Sequence, residues 1–517
     1  MAHLVPDRAS RDDRAWSVTT TAFLSVAVFA VLATANTGGY RYGIGDQAFY
    51  IPDILHQLSP SLFPRDVAVF GPQAKLLLAD RVAAAFTRAT SASLPALFLG
   101  LQVATMVVMA LGAFAVGRAF YRSTWTALAL TVALTFRHRI AKTGVNTLEG
   151  YFHPRMLAFA LGVAAVAAFA HRRRGWAAVG LALAACAHPT TGAIFVVWVA
   201  CAALIIDGLS TPVLVAALVG AACAVGVVWL GPFGTLVVTM DEAWTRAFAA
   251  KDYIFPTAWT WRVWAMNAVA PILVALVVAR RRQLDLASDE ERSLALACGA
   301  LGAGFLASLP FVAARVALVV QLQVSRVLWP IDFLATASLV WCLVEAPSGG
   351  PWLPPRWRGP IVVVALGLAS LGRGAYVMAV EHQRALVTPG LAATPWQTVA
   401  DWARIHTPPD AHFLVDPNHA VTYGVSFRVA GERDVFLESV KDDAMALYSR
   451  DVALRVAERA LALGDYETLT VARAHALADA YALDYLIDER DLALPLVHAT
   501  GAFNVYALNP ESAGRVR

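Results

Sequence analysis

The sequence predicts an α-helical polytopic membrane protein of about eleven transmembrane helices, ending in a small C-terminal extracytoplasmic α/β domain. Three observations carry this prediction. Of the 517 residues, 58% are hydrophobic and 15% charged, with a mean hydropathy of +0.58; a soluble domain carries about 25% charged residues. Apolar runs approaching the ~20 residues that cross a hydrocarbon core recur up to Val380. Beyond Val380 the charge density rises, and helical and strand-like periods alternate.

In chain order, spans are predicted near 16–37, 93–117, 123–137, 155–171, 175–192, 193–210, 212–231, 262–279, 293–313, 326–346 and 360–380. Small residues near the first run resemble a signal-peptide cleavage site, but the many spans that follow make it a retained helix. The third span is short, and only "AHPTTG" separates the fifth from the sixth. Cytoplasmic loops retain Lys and Arg. With the N-terminus inside, eleven spans put the basic clusters "DRASRDDR", "GRAFYR", "HRRRG", "ARRRQ" and "PPRWRG" all on the cytoplasmic side. One loop conflicts: "RHRIAK", Arg137–Lys142, falls outside, which signals either a miscounted third helix or an anion bound there. The other outer segments are Gly38–Ala92, the rest of the stretch to Pro154, the turn at His188, Gly231–Arg262, the turn around Arg315–Arg326, and everything after about 381.

The chain therefore divides into a multi-span membrane domain, 1–380, with a first outer loop, 38–92, and an extracytoplasmic α/β domain, 381–517. In that domain "PWQTVADWARIHTPPDAHFLVDP" reads as an amphipathic helix, a Pro-marked turn and a strand. "FRVAGERDVFLE" reads as a strand and "DDAMALYSRDVALRVAERALALG" as one helix ending at Gly464; a further helix, "LDYLIDE" and a final strand "GAFNVYALN" follow. The five Cys, at 186, 201, 223, 298 and 342, sit in apolar runs without CxxC spacing, as packing residues do. The net charge of +4 comes largely from Arg in short loops, and no basic face interleaved with aromatics suggests a nucleic acid. Internal repeats, nucleophile-elbow, P-loop and zinc-protease motifs are absent.

Candidate chemistry collects on the outer face. In the first loop, "GIGDQAFYIPDILHQL" places Asp46 just before a helix whose apolar positions, Phe49, Ile51, Ile54, Leu55 and Leu58, suit the membrane surface. Asp46 reads both as an N-cap, with Gly43 and Gly45 turning the chain, and as a carboxylate whose reduced solvation raises its basicity or lets it bind a metal. Tyr50 of this helix joins the candidate substrate-binding residues. Asp53 and His56 have a spacing compatible with a metal pair or with solvated side chains, and Asp66 pairs with Arg65 or caps a turn.

In "NTLEGYFHPRMLAFALG", Arg155 either snorkels beside the aromatic belt of Tyr151 and Phe152 or grips a phosphate with help from Glu149 or His153. His188 is a hydrogen-bonded core residue or a functional one. Arg326, after Gln321 and Gln323, snorkels or forms a second phosphate clamp. The loop Met240–Trp264, with Asp241, Glu242 and four Trp, reads as interfacial.

An acidic residue in the first long outer loop, His and Arg sites on the outer face, about eleven spans and the order of elements in the tail together resemble the GT-C superfamily of polytopic membrane glycosyltransferases. The resemblance covers nearly the whole chain. It implies inverting transfer of a hexosyl or pentosyl group from a polyprenyl-phosphate donor, at the outer face of the cytoplasmic membrane. Asp46 would be the catalytic base, with Arg155 and Arg326 on the leaving phosphate and His153 or His188 assisting. The partners implied are the polyprenyl-phosphate-linked sugar and membrane lipids; no protein partner is indicated. Gln47 follows Asp46, so there is no Asp-Glu pair, and the loop has no DxD. A divalent metal is thus left open. The alternatives are a transporter or flippase of a lipid-linked or polar substrate, which should show repeats or broken helices at mid-membrane, and a non-catalytic membrane assembly protein.

Overall fold

The computed structural model of the chain describes residues 18–208, 237–347, 354–514 and 516. The predicted span 212–231, its Cys223 and the N-terminal basic cluster lie outside the described residues. The other ten predicted spans fall on helices. After α1 (Val18–Asn36) come three helices of the loop predicted to lie outside, α2 (Gln47–Leu58), α3 (Val67–Ala74) and α4 (Leu78–Thr90). There follow α5 (Leu94–Phe120), α6 (Thr124–Ala133), α7 (Pro154–Ala170), α8 (Arg174–Ala187) and α9 (Pro189–Asp207), then α10 (Trp261–Gln283), α11 (Asp289–Ala313), α12 (Ala317–Leu322), α13 (Leu328–Val344) and α14 (Pro355–Tyr376).

Among the described residues, six helical stretches are long and apolar enough to cross a membrane, and α1, α6, α7 and α8 are shorter apolar helices. The shortness of α7 has a structural context: it is enclosed, with Phe159, Val163 and Val166 buried in the largest core cluster. Its neighbours α5, α8 and α9 shield it from lipid. Helices on the periphery expose apolar side chains instead, among them Trp261, Val269 and Leu276 of α10 and Leu368 of α14, as helices facing lipid do.

The described basic clusters meet at one end of the bundle. Arg281 is buried against Glu291, with an Nε–Oε1 distance of 2.7 Å, and also donates to the Phe120 carbonyl. Nearby, Arg172 pairs with Glu290, Glu345 accepts from the Ser123 amide, and Arg358 donates to the carbonyls of Cys342, Leu343 and Ala346 at the end of α13. A guanidinium is favoured there by the negative end of the helix dipole. The ends of the chain segments predicted to lie outside gather at the opposite end.

The C-terminal domain is built on a five-stranded sheet. The short strands β1 (Tyr40–Arg41) and β4 (Val387–Thr388) pair in parallel, and β2 (Arg139–Ile140) and β3 (Val145–Asn146) form a hairpin, all outside that sheet. The domain sheet itself runs β6 (Asp434–Val435), β5 (His412–Leu414), β7 (Tyr485–Asp488), β9 (Asn504–Ala507), β8 (Leu496–Ala499). It is parallel at β5 and antiparallel around β9. Alternate residues divide two cores, as a period of two requires. Phe413, Tyr485 and Ile487 pack under α15 (Pro395–His406), while Leu414 and Leu486 pack under α17 (Arg450–Leu463) and α18 (Val471–Tyr481).

Several expectations change. "FRVAGERDVFLE" is not one strand: Phe427–Ala430 is a helical turn, fixed because Arg428 turns inward to Asp66, Glu438 and Asp442, and only Asp434–Val435 is extended. The single helix expected over 442–464 is two, α16 (Ser439–Ala446) and α17, separated because the Ser449 side chain caps the Val452 amide. β8 was not expected from the sequence. In the first loop, α2 does not lie on an open surface: all residues from Gln47 to Ile54 are buried, enclosed by α4 and the C-terminal domain. Asp66 pairs with Arg428 and Arg455, at 2.7 and 2.6 Å, and takes neither Arg65 nor a capping bond. Asp53 accepts from Gln57 and His56 bonds the Leu62 carbonyl, so the two do not form a metal pair. Trp244 is no belt residue; its Nε1 donates to the Ala446 carbonyl inside the second core.

Candidate functional site

A cavity of about 120 Å³ lies where the segments predicted to be outside converge. Its lining draws on α2, the end of α3, the start of α7, the α8–α9 turn, the loop before α10, the α12–α13 junction and α16. Asp46, Tyr50, His153, Arg155, His188 and Arg326 all face it. Those are six of the seven residues singled out from the sequence.

Asp46 sits at the N-cap position of α2 but makes no capping bond. Its carboxylate instead receives the His153 Nε2 at 3.0 Å. The tautomer follows from the ring's other side, since the Arg155 amide donates to Nδ1 at 3.1 Å, leaving the proton on Nε2. Gly45, at φ +59°, makes this approach possible: a side chain there would meet the Tyr151 ring at 2.5 Å. Tyr151 in turn stacks on His153 with centroids 6.0 Å apart.

The expectation of a raised Asp46 basicity is corrected. Burial alone would push the carboxyl up, but the His153 hydrogen bond, Lys441 and Arg155 outweigh it and hold Asp46 well below the usual carboxylate range. Burial and the nearby Arg155 push His153 down to about 4, against the pull of Asp46. At neutral pH the pair is thus a carboxylate accepting from a neutral imidazole.

His188 caps α9, its Nδ1 accepting from the Thr191 amide, and its ring lies 6.3 Å from that of His153. The turn is tight because Gly192 approaches the Ala185 backbone, where a Cβ would come within 2.3 Å of the Cα. Arg155 Nη2 is 3.3 Å from Glu149, which also accepts from Asn146. Glu149 stands behind the cavity wall rather than on it. The Nε atoms of Arg155 and Arg326 are buried and have no partner among the described residues. Two guanidinium groups that line a cavity with unspent donors are suited to an oxyanion.

The sequence did not single out Lys251, Lys441, Tyr253, Tyr448 and Gln73, which with Gln323 complete the polar part of the lining. Lys441 donates to the Gly45 carbonyl at 2.6 Å and lies over the Phe49 ring, so the C-terminal domain closes the site. Lys251 donates to the Val440 carbonyl. Arg155, Arg326, Lys251 and Lys441 thus confront a single lining carboxylate. A divalent metal does not fit this donor set: one Asp46 oxygen and both His Nδ1 atoms are engaged, four cations repel it, and no cluster of three metal-ligating side chains occurs among the described residues.

Beside the polar cavity runs an apolar groove of about 670 Å³, between α4, α5 and the α7–α8 pair. Tyr50 lines both, and Pro154 links the groove to His153 and Arg155.

The chain matches no protein-family model and no curated protein. Among solved structures, it is similar to the crystal structure of the oligosaccharyltransferase of Archaeoglobus fulgidus in its apo form. The identity is 12% and the TM-score 0.46, over 90% of this chain and 69% of the other.

Proposed function

We infer that the chain is a membrane glycosyltransferase of the GT-C type. It transfers a sugar from a polyprenyl-phosphate donor to an acceptor hydroxyl at the outer face of the cytoplasmic membrane, the C-terminal domain lying on that face. The observation that carries the reading is one carboxylate set among four cations in a cavity that shares Tyr50 with a neighbouring lipid-sized apolar groove.

In this reading the isoprenoid chain lies in the groove and its phosphate in the cavity. Asp46 accepts the proton of the acceptor hydroxyl as its oxygen attacks the anomeric carbon from the face opposite the phosphate. The bond from that carbon to the phosphate oxygen breaks, and the lipid phosphate leaves with the electron pair. Configuration is inverted. Arg155 and Arg326, with Lys251 and Lys441, stabilise the charge that grows on the phosphate; such preorganised donors contribute about 3–4 kcal/mol each in comparable sites. His153 holds the Asp46 carboxylate in place, and Glu149 orients Arg155.

Purified protein incubated with a panel of polyprenyl-phosphate sugars and hydroxyl acceptors, with products read by mass spectrometry, tests this. Transfer with inversion is expected. If neither transfer nor donor hydrolysis occurs across the panel, while the protein moves the same lipids between the leaflets of vesicles, the flippase reading replaces it.

A further inference from the structure

In the basic loop, His138 faces Asp332 and Lys142 pairs with Asp252, but the proposed transfer leaves unexplained a second concentration of positive charge. Where α1 and the last predicted span leave the bundle, Arg41, Arg137, Arg373, His382 and Arg384 come together. Two of these are spent. Arg373 donates to Asn36 and to the Arg137 carbonyl, and Arg137 donates to the Leu148 carbonyl and faces Glu149 at 4.0 Å.

Three are not. Arg384 uses only its Nε, on the Gly38 carbonyl. Arg41, on the strand paired with β4, has a buried Nε without a partner. His382 and Arg384 meet over Gly38, whose missing Cβ would lie 2.5 Å from the His382 ring and 2.7 Å from the Arg384 guanidinium. Burial and the like charge of Arg384 both lower the hold of Arg41 on its proton, which marks the two as neighbours. The acidic groups nearby do not neutralise them: Glu381 acts on His382 from an exposed position, Glu432 acts on Tyr42, and Glu149 is held by Arg155 and Asn146. Among the described residues, no carboxylate forms an ion pair with Arg41, His382 or Arg384.

Arg41 and Arg384, gathered without a counter-charge, repel one another unless an anion joins them. Below this cluster α14 presents Ile361, Val364, Leu368 and Leu371, an exposed stripe at helical spacing, and Tyr376 and Val380 carry it on toward His382. Uncompensated positive charge above an apolar helix face matches an anionic lipid, charge for charge and chain for chain. We propose that Arg41, His382 and Arg384 bind the phosphate of an anionic membrane lipid whose acyl chains lie along α14, at a site separate from the catalytic cavity. The lipid would tie the first outer loop, through β1 and β4, to the linker that enters the C-terminal domain. Arg137 adds its field to the same cluster.

The test uses the full-length protein in mild detergent, with phosphatidylglycerol or phosphatidylcholine added and retained lipid counted by native mass spectrometry. Phosphatidylglycerol should be retained in preference, and the Arg41→Gln/Arg384→Gln double variant should lose about tenfold of that preference. Arg173→Gln, an exposed change at the other end of the bundle, should keep it. Equal retention of the two lipids by the unaltered protein would overturn the proposal even if the double variant fails to fold. Complete displacement by inorganic phosphate would overturn the lipid assignment in favour of a free anion. Sugar transfer is a separate readout, so its failure leaves this test standing.

Discussion

Replacing Asp46 by Asn removes a charge and little else. His153 Nε2–H donates to an Asp46 oxygen at 3.0 Å, and an amide oxygen can accept the same bond, so the ring and the start of α7 should keep their places. What disappears is the proposed proton acceptor. Positioned general bases contribute about 10²–10⁴-fold, so kcat should fall by that factor, or about 3–5 kcal/mol in barrier. Donor binding should move the other way. Asp46 is the one carboxylate in a lining that carries Arg155, Arg326, Lys251 and Lys441, and it repels a phosphate placed among them. At ~6–8 Å and an effective dielectric of ~20, one such repulsion is about 2–3 kcal/mol before screening by water trims it. The amide variant should therefore bind the polyprenyl phosphate about tenfold more tightly or better. Single-turnover transfer and equilibrium binding, measured on the same preparation, separate the two effects. A kcat within tenfold of the unaltered protein would refute Asp46 as the base. A parallel loss of binding would refute the electrostatic picture of the cavity.

Three further outcomes are expected. Because His153 is pushed down to about 4 and Asp46 lower still, the transfer rate should be flat above about pH 5 and fall near pH 4, when His153 gains a proton and can no longer accept from the Arg155 amide; a midpoint between 6 and 7 would place another group in control. The same depressed value makes His153 a source of stability at neutral pH that is lost as pH falls from its ordinary 6.5 through about 4. Lys441→Met keeps the stem over Phe49 but removes the bond to Gly45 and one cavity charge. It should weaken donor binding about tenfold while shifting Tm by no more than a few degrees, and unchanged binding would take the C-terminal domain out of the site. Finally, burial and the facing Asp66 push Asp434 up to about 7 from 3.8. Its folded value lies above its unfolded one, so it favours folding only while protonated, and that advantage is lost as pH rises through about 4 to 7. Asp434→Asn should gain stability over the unaltered protein across this window, by at most about 4 kcal/mol, and a Tm difference that is constant from pH 5 to 8 would contradict it.

How much of this was legible in the chain depends on the background against which each residue stands. An ionisable side chain beside an apolar span is costly there, so Asp46, His153, Arg155, His188 and Arg326 stand out without a structure, and the structure brings them to one cavity. Lys251 and Lys441 lie in segments where charge is ordinary, and nothing in their spacing sets them apart from neighbouring surface lysines. They enter the site only because α16 folds over α2, nearly four hundred residues away in sequence. The same distance explains the reversed expectation for Asp46. Desolvation can be argued from a loop at the mouth of a bundle, but His153, Arg155 and Lys441, whose charges and hydrogen bond reverse its sign, belong to other segments. In the tail, the break at Ser449 was hidden because the apolar rhythm of 442–464 continues across it. The break, closed by the Ser449 cap, puts Tyr448 into the cavity lining and lets Gln321 bond the Leu447 carbonyl, so the turn between the helices also carries a contact with the membrane domain. A rhythm read within one segment can report that segment's own core, and it fails where a residue's partner belongs to another domain.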